Sequence, residues 1–587
     1  MGGMTGSRLG QCAWPVVCAA VALGLYANAL DNPFVSDDVL IITGNPTVTQ
    51  PSTAALARLW TVDYWQGVDP QGHVQEVGGD RGLYRPVTIA SYWLEARCCG
   101  VTPRGFRLVN VLLHAAAAWV AGLWCAAWLG VTAGVTASAV VLLHPTATDV
   151  VNRIVGRADI LALLAVAGFL LVQRTAQRAL WTWPRVLAAA ACAVVALGAK
   201  ESGAVVLPLA AVQAWLGRQP DAARVARHSR RAALALGLIL VLYLGGRAAA
   251  VSRIGYDYGP WDLIGNPLAG TTLSARLPAV GTLVLGYLRL LVAPWPLFAF
   301  DLPTRLPEWS DPRAVLGLAA LALLAAAAAA LLVRRHVLGL ALASWLASFL
   351  IVGQLVLPLG TYRDVRLAYG MLGSLALAIG WLVEPASRWH RSRRRVALAL
   401  VTTMLVTWAA LVVRRNFDFR SDITLLEADA RRRPDDASTL GRLGGLYERA
   451  GRLPEAEHAF TRAVELAPAS PEAAYELALW YQDRGKRDAA KRFYERTLEL
   501  YPEHPMALVA LGSMALDTDD LDAAARLLTR AAELAPDDPF VVYDLAVLDE
   551  RRGNVAGAIE RLERLVARHP EYGQAVQGLA ALREQRR

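Results

Sequence analysis

Long apolar runs recur along the first part of the chain, and short polar or basic stretches separate each run from the next. A helix rises about 1.5 Å per residue, so about 20 apolar residues carry it across the hydrocarbon core of a membrane. Runs that approach this length predict a bundle of membrane-spanning helices. The predicted segments are 12–30, 108–128, 131–143, 158–173, 186–197, 203–216, 232–251, 277–300, 314–333, 337–357, 367–383 and 396–413.

Basic loops between these segments set the expected orientation, because arginine-rich loops stay on the cytoplasmic side. The clusters are Arg174, Arg178 and Arg185; Arg218, Arg224, Arg227, Arg230 and Arg231; Arg334 and Arg335; and Arg388, Arg391, Arg393, Arg394 and Arg395. An odd number of segments separates the second cluster from the third. Segment 277–300 carries Arg289 and Pro294-Trp295-Pro296, so we expect it to be re-entrant or broken. About eleven crossings remain, with an uncleaved first helix and a cytoplasmic N-terminus.

A repeat replaces the apolar runs after residue 420. Prolines recur at a strict interval of 34 residues, at Pro468, Pro502, Pro536 and Pro570, and this is the period of tetratricopeptide repeats. Small residues recur where paired helices must approach closely. We predict a linker at 421–436, four repeats at 437–470, 471–504, 505–538 and 539–572, and a capping helix at 573–587. Such an array binds peptides or partner proteins on its concave face.

Composition and charge agree with a chain of two parts. Hydrophobic residues make up 55% of the sequence and charged residues only 19%, which argues against a purely cytosolic enzyme. Residues 421–587 hold 23 basic and 30 acidic residues, a net of −7, and the remainder holds 59 − 23 = 36 basic and 50 − 30 = 20 acidic residues, a net of +16. The six cysteines form neither a zinc spacing nor a disulfide framework. The predicted fold is therefore all-α: a polytopic membrane helix bundle over 1–420, followed by an α-solenoid.

Polar residues of the predicted external loops carry the candidate chemistry. The loop 31–106 opens with the acid pair Asp37-Asp38, which could bind a metal, cap a helix or deprotonate an acceptor. Arg107, Asn110 and His114 share one face of the second segment and should point into the bundle. Further motifs fall on the same predicted membrane face: Tyr84-Arg85-Pro86, the stretch from His144 to Asp149, Val155-Gly156-Arg157-Ala158-Asp159, Lys200-Glu201, and the stretch from Tyr362 to Tyr369.

In their order along the chain, these motifs resemble the transmembrane and tetratricopeptide-repeat-containing O-mannosyltransferases of the glycosyltransferase C superfamily. The motifs that carry the likeness are Phe34-Val35-Ser36-Asp37-Asp38, Asn45-Pro46, Tyr84-Arg85-Pro86, Arg107 to His114, His144 to Asp149, Val155 to Asp159, Lys200-Glu201, and Arg366 with Tyr369. The likeness extends over nearly the whole chain and ends with the same kind of repeat domain. It implies inverting transfer of a sugar, in that family mannose, from a polyprenyl-phosphate donor to a serine or threonine hydroxyl of a protein.

The resemblance also implies roles for single residues. Asp37 would be the general base, Asp38 its helper, and Asp149 a second acid that positions the acceptor or a divalent metal. The remaining residues would form the donor and phosphate site: Arg366, Arg85, Arg157, His144, Lys200 and Tyr369. The repeats would bind an acceptor protein, and membrane lipid would surround the bundle. No nucleic-acid partner is expected.

Departures from the family pattern and other classes of protein leave alternatives open. Asp149 stands where the family commonly has glutamate, and Ala147 stands where a histidine often precedes it. A transferase of the same superfamily that acts on a lipid or glycan, or a non-enzymatic membrane scaffold for the repeats, remains an alternative. Transport would predict an inverted internal repeat, and none is visible among the segments. The alanine- and arginine-rich sequence is typical of a bacterial gene, which predicts an inner-membrane protein with periplasmic repeats. In a eukaryote, the repeats would face the lumen of the endoplasmic reticulum.

Overall fold

The computed structural model describes residues 8–76, 82–179, 181–217, 222–251, 266–268, 271–299, 301–303, 306–356, 359–384, 391–569 and 572–585. These residues fall into two compact units, Met1–Asp429 and Ala430–Arg587. The division lies inside the predicted linker 421–436. Apart from one short hairpin, the regular structure of the described residues is helical, as the sequence predicts.

Apolar helices make up most of the first unit, together with shorter helices of the loop that follows the first of them. Its strands are β1 (Gln66–Val68) and β2 (Val74–Glu76), which pair antiparallel. Its helices are α1 (Arg8–Tyr26), α2 (Pro46–Thr49), α3 (Thr53–Arg58), α4 (Pro86–Cys99), α5 (Pro103–Leu129), α6 (Val131–Leu143), α7 (Ala147–Asn152), α8 (Arg157–Ala179), α9 (Trp183–Ala199), α10 (Val206–Leu216), α11 (Ala222–Ala250), α12 (Leu273–Val292), α13 (Pro312–Val333), α14 (Val337–Val352), α15 (Leu372–Val383), α16 (Arg391–Asn416) and α17 (Asp422–Arg432).

Every predicted apolar segment overlaps one of these helices. Six helical stretches of the described residues are long and apolar enough to cross a membrane, judged by length and composition. They are Pro103–Leu129, Ile154–Arg178, Leu273–Val292, Pro312–Val333, Val365–Val383 and Arg395–Arg420. The other predicted segments form shorter apolar helices. The chain is therefore a membrane protein, and its number of crossings and its sidedness stay predictions.

Segment 277–300 differs from the expectation of a broken helix. Its residues 277–292 belong to the continuous helix α12 (Leu273–Val292), which is long and apolar enough to span. Pro294 and Pro296 follow the end of this helix at Val292 and so do not interrupt it. The predicted sidedness needed an even number of crossings between the second and third basic clusters, and it reached that number by leaving segment 277–300 out. Because α12 is long and apolar enough to cross, the structure does not support that step.

Local sequence explains where several helices begin and how closely they pack. The side chain of Thr102 accepts a hydrogen bond from the N–H of Gly105, and Pro103 occupies the first helical position of α5, a combination that favours helix initiation. Inside the bundle, α5 packs against α6 and α8. A Cβ atom on Gly122 of α5 would lie 2.7 Å from the carbonyl oxygen of Gly134 of α6. Only glycine permits this separation between the two helices.

The second unit consists of paired helices with the spacing of the predicted repeats. Its helices are α18 (Ala437–Arg449), α19 (Leu453–Leu466), α20 (Pro471–Asp483), α21 (Arg487–Leu500), α22 (Pro505–Asp517), α23 (Leu521–Leu534), α24 (Pro539–Arg551), α25 (Val555–Arg568) and α26 (Gly573–Gln585). The small residues lie where the paired helices cross. A Cβ atom on Gly444 would lie 2.8 Å from the ring of Phe460, and one on Gly512 would lie 2.7 Å from Leu528.

Candidate active site

The acid pair Asp37-Asp38 follows the end of α1 in a short loop whose two side chains diverge. Asp38 is fully buried, and its carboxylate accepts the N–H of Val155 at 2.9 Å and the N–H of Val35 at 3.4 Å. Asp37 keeps 39% of its side chain exposed and lies 3.5 Å from Arg366. Of the two acids, Asp37 is therefore the one that an incoming molecule can reach, whereas Asp38 braces the loop against the segment that precedes α8.

Burial governs the protonation of Asp38. Loss of water raises the pKa of Asp38 to about 6, and the N–H groups of Ile154 and Val155 and the charge of Arg107 only partly oppose that rise. The side chain does not cap the helical turn that follows it. The sequence leaves a helix-capping role open for this residue. In the structure, its carboxylate instead accepts a hydrogen bond from the backbone of a loop 117 residues further along the chain.

Arg366, the cation that contacts Asp37, belongs to a group of three cations, and each of the three is already paired with a carboxylate. Arg366 contacts Asp364 at 2.7 Å, and Lys200 contacts Asp159 at 2.6 Å. The pKa of Lys200 is lowered, first by burial and then by the positive charges of Arg85 and Arg366, while Asp159 opposes the change. Arg85 and Arg366 therefore lie close enough to Lys200 for their charges to interact. Groups of arginine and lysine side chains such as this one bind phosphate.

Arg85 completes this group of cations. Its guanidinium makes two hydrogen bonds to one carboxylate oxygen of Glu201, at 2.9 and 3.1 Å, and it lies over the ring of Tyr64. Its side chain is 16% exposed, compared with 18% for Arg366 and 11% for Lys200. An anion that arrives from outside could therefore contact any of these three partly exposed cations.

Asp149 belongs to a second, deeper cluster. It lies on α7 with 1% of its side chain exposed, 3.6 Å from Arg415 and 4.0 Å from Arg153. Burial raises the pKa of Asp149, Arg415 and Arg153 lower it, and the nearby charge of Asp364 raises it again. Asp364 also contacts Arg366, so this cluster adjoins the group of three cations. Its burial makes Asp149 a partner of arginines in this structure, and its role toward an acceptor stays a prediction.

Three of the predicted donor-site residues lie in the packed interior. Arg157 is fully buried and contacts Glu95 at 2.7 Å and Asn110 at 2.8 Å. His144 is also buried, 2.8 Å from Thr146 and edge-on to a tryptophan ring, and the hydroxyl of Tyr369 lies 2.8 Å from His114. The stripe Arg107, Asn110 and His114 is fully buried, as predicted. The contacts of Arg157 and Tyr369 join different helical elements and so stabilise the bundle, whereas His144 contacts a residue of its own loop and a tryptophan ring.

A narrow apolar cleft beside Asp159 has a volume of about 40 Å³ and is partly open to the outside. Asp159 and the three serines Ser202, Ser344 and Ser348 contribute the polar part of its lining. The apolar part follows one face of α8, where residues recur at helical spacing, and continues to neighbouring helices; it includes Leu163, Val166, Leu170, Trp124 and Leu209. Among the residues that the structure describes, no group of three or more His, Cys, Asp or Glu side chains is arranged to hold a metal ion.

Arg415 is the residue that reasoning from sequence missed. It is fully buried at the end of α16 and contacts three acids: Asp149, Asp418 and Asp429. A signal was available, because Arg414-Arg415 ends the last apolar segment on the side predicted to be external, where arginines are not expected. An arginine that departs from that rule calls for a local acidic partner.

The fold and this site define a class: a helical membrane protein that joins a cluster of acids and arginines to a tetratricopeptide-repeat domain. Family models named "Tetratricopeptide repeat" match residues 418–474, 475–539 and 515–582. A crystal structure of a tetratricopeptide repeat protein from Parabacteroides merdae is 23% identical with a TM-score of 0.25, and the match covers 27% of this chain and 64% of that one.

The curated relatives are more specific. The chain is 38% identical to the protein O-mannosyl-transferase Tmtc1 of Drosophila melanogaster over 144 residues, 24% of this chain and 16% of the relative. It is 34% identical to the protein O-mannosyl-transferase TMTC1 of Mus musculus over 179 residues, 29% of this chain and 18% of the relative. The match thus spans less than a fifth of either relative. These similarities confirm the family resemblance that the motifs indicated, and they support a glycosyltransferase.

Proposed function

We propose that this protein is an integral-membrane glycosyltransferase that transfers mannose from a polyprenyl-phosphate donor to serine or threonine hydroxyls of proteins on the non-cytoplasmic face. One observation carries the proposal: the accessible carboxylate of Asp37 lies beside Arg366, which belongs to a group of three partly exposed cations. A base and a phosphate-binding group are thereby placed next to each other. The similarity to protein O-mannosyl-transferases supports the same reaction.

In the proposed reaction, Asp37 takes the proton of the acceptor hydroxyl as the hydroxyl oxygen attacks the anomeric carbon of the donor sugar. A new carbon–oxygen bond forms on one side of that carbon, and the bond to the phosphate oxygen breaks on the other. The leaving polyprenyl phosphate keeps the electron pair. Arg366, Lys200 and Arg85 stabilise the negative charge that grows on the phosphate.

The apolar cleft supports a lipid-linked donor rather than a soluble nucleotide sugar. Its charged lining residue is Asp159, the partner of Lys200, and the rest of the lining consists of apolar side chains, serines and glycines of the bundle. A polyprenyl chain that lies along Leu163, Val166 and Leu170 leaves its phosphate near Lys200. Burial of such a chain contributes roughly 0.8 kcal/mol per methylene group, so the cleft favours the lipid form of the donor.

The repeats supply the proposed acceptor site. Tetratricopeptide arrays bind polypeptide segments along the surface formed by their stacked helices, and this array forms the compact unit Ala430–Arg587. A crossing by α12 would make the number of crossings even and place the repeats in the cytoplasm together with the N-terminus. We propose that α12 does not cross completely, so that the number of crossings is odd and the repeats lie outside the cytoplasm, in a periplasm or lumen. A protease added to intact spheroplasts should then digest the repeats, whereas protection would place them in the cytoplasm.

The reaction is tested with the purified full-length protein, synthetic polyprenyl-phosphate mannose and a peptide that contains serine and threonine. We expect transfer by the parent and a loss of at least roughly a hundredfold in Asp37→Asn. Asp31→Asn is the matched control, because Asp31 lies in the same loop, is 75% exposed and contacts only the exposed Arg104 among the ion pairs of the described residues. Equal rates for the parent and Asp37→Asn would refute the assigned base. Label found on lipid or glycan instead of peptide would favour the alternative transferase, and absence of transfer would favour a scaffold.

A further inference from the structure

Helix α17 (Asp422–Arg432) connects the last apolar helix to the repeats, and it contacts the candidate site at two points. At its first residue, the carboxylate of Asp422 accepts the backbone N–H of Ser36 at 3.2 Å. Ser36 immediately precedes Asp37. The bond therefore joins residues 386 positions apart in the sequence and ends one residue from the proposed base.

Ser36 needs such support because of its backbone conformation. Its φ is +56°, in the left-handed region that residues with a Cβ atom rarely adopt. A residue in this region is strained, and the conformation persists only where the surrounding structure fixes it. The Asp422 carboxylate is a partner of that kind, since it binds the N–H of the strained residue itself.

Apolar packing reinforces the first contact. Val35, the residue before Ser36, is buried in a small cluster with Leu425 of α17, Phe419 and Ala299. Each of these four side chains is at most 1% exposed. The loop that carries Asp37 and Asp38 is therefore held against α17 by the hydrogen bond of the Ser36 N–H and by the hydrophobic contact of Val35.

The second contact lies near the other end of α17 and leads to Asp149. The carboxylate of Asp429 accepts a hydrogen bond from Arg415 at 3.1 Å and another from the backbone N–H of Ala299. A different nitrogen of the same guanidinium lies 3.6 Å from Asp149. Arg415 is thus a buried cation that Asp429 and Asp149 share, and its removal would take a charge partner from both carboxylates.

We propose that α17 is the element that positions both acidic segments of the site: Asp422 fixes the Ser36–Asp37 turn, and Asp429 fixes Asp149 through Arg415. Asp422, Asp429 and Arg415 are then positioning residues, because they act on the reaction through Asp37 and Asp149. The helix continues to Arg432, past the end of the first compact unit at Asp429. The consequence for catalysis rests on the proposed function, whereas the contact itself does not.

Asp422 offers a clean test, because it is only partly buried and has a matched conservative variant. Asp422→Ala removes the acceptor for the Ser36 N–H, while Asp422→Asn keeps an oxygen in the same place. Hydrogen–deuterium exchange of peptides that contain Ser36 reports on the contact without any substrate. We expect about tenfold faster exchange at the Ser36 amide in Asp422→Ala, from the loss of one hydrogen bond, and exchange close to that of the parent in Asp422→Asn.

Transfer kinetics test the positioning role. We expect kcat to fall by roughly ten- to a hundredfold in Asp422→Ala, because misplacement of a reacting group by about 1 Å has effects of this size. KM for the donor should stay near that of the parent, and Asp422→Asn should restore kcat. Unchanged exchange in Asp422→Ala would refute the contact. Faster exchange with unchanged kcat would refute the positioning role. A parent protein that transfers no sugar would refute the proposed function and, with it, the role in catalysis, while exchange would still decide the contact.

Discussion

Arg157 lies in a sequence motif that resembles a phosphate-binding element, yet its contacts are those of an internal brace. Its guanidinium contacts Glu95 at 2.7 Å, Asn110 at 2.8 Å and the carbonyl oxygen of Phe106 at 3.0 Å, and it lies over the ring of Tyr92. The side chain is completely buried. The substitution Arg157→Met keeps most of the side-chain volume but removes the charge and the hydrogen bonds. It therefore separates the two roles: loss of a brace lowers stability, whereas loss of a phosphate ligand lowers donor binding.

The expected magnitude follows from the partners that remain. Arg157→Met leaves the Glu95 carboxylate, whose side chain is 7% exposed, without its cation, and breaking a buried pair in this way costs about 3–5 kcal/mol. Burial already raises the pKa of Glu95, and Arg157 is what opposes the rise. Replacing both members, in Arg157→Met with Glu95→Gln, should recover a large part of that loss, since no buried charge is then left alone.

Thermal unfolding of the full-length protein in detergent measures these differences across the two single variants and the double variant. A large fall in Tm for Arg157→Met, partly reversed in the double variant, is expected. Donor affinity of the surviving folded protein should be close to that of the parent. If Arg157→Met kept the parent Tm but lost donor binding, Arg157 would contact the phosphate and the brace interpretation would be wrong.

Three further predictions concern packing and pH. Gly156→Ala should destabilise the first unit by about 1–3 kcal/mol, because its Cβ would lie 2.1 Å from the carbonyl oxygen of Val150; a fall in Tm checks this, and an unchanged Tm would contradict it. Gly512→Leu should disrupt the crossing of α22 and α23, where even a Cβ lies 2.7 Å from Leu528, and limited proteolysis should then cut the repeats first. Burial raises the pKa of Asp38 to about 6, above the unfolded value of about 4. Between these two pH values the folded state binds more protons than the unfolded state. The free energy of unfolding should therefore fall as pH rises from about 4 to about 6, by up to about 3 kcal/mol. Asp38→Asn should lack this fall, and Tm measured at pH 4 and pH 7 for both proteins tests the difference.

Periodicity predicted the helices well, because each physical requirement is written locally in the sequence. Twenty apolar residues or a 34-residue repeat identify an element without knowledge of its neighbours. The helix α12 shows the limit of this reasoning. Pro294 and Pro296 lie within the apolar run, but a helix that ends at Val292 is complete before it reaches them. The position of a helix end within a continuous apolar run depends on packing, which the run does not encode.

The candidate site shows the same division. The sequence singled out four residues that the structure brings together with partly exposed side chains: Asp37, Arg366, Lys200 and Arg85. It could not separate these from Arg157, because an arginine that braces three helices and an arginine that binds phosphate have the same local neighbours. Arg415 was missed since its acids lie on α7, after α16 and on α17. Only the folded chain brings those acids to one guanidinium.

The shared guanidinium of Arg366 has a consequence for the order of events. In the structure it serves both Asp364, at 2.7 Å, and Asp37, at 3.5 Å. A donor phosphate that binds Arg366 competes with Asp37 for the same guanidinium and thereby releases the carboxylate to accept a proton. An acceptor that arrives first meets a carboxylate still engaged with its arginine. The expected kinetics are therefore sequential, with the donor as the leading substrate, and water gains little help from Asp37 until a donor is in place.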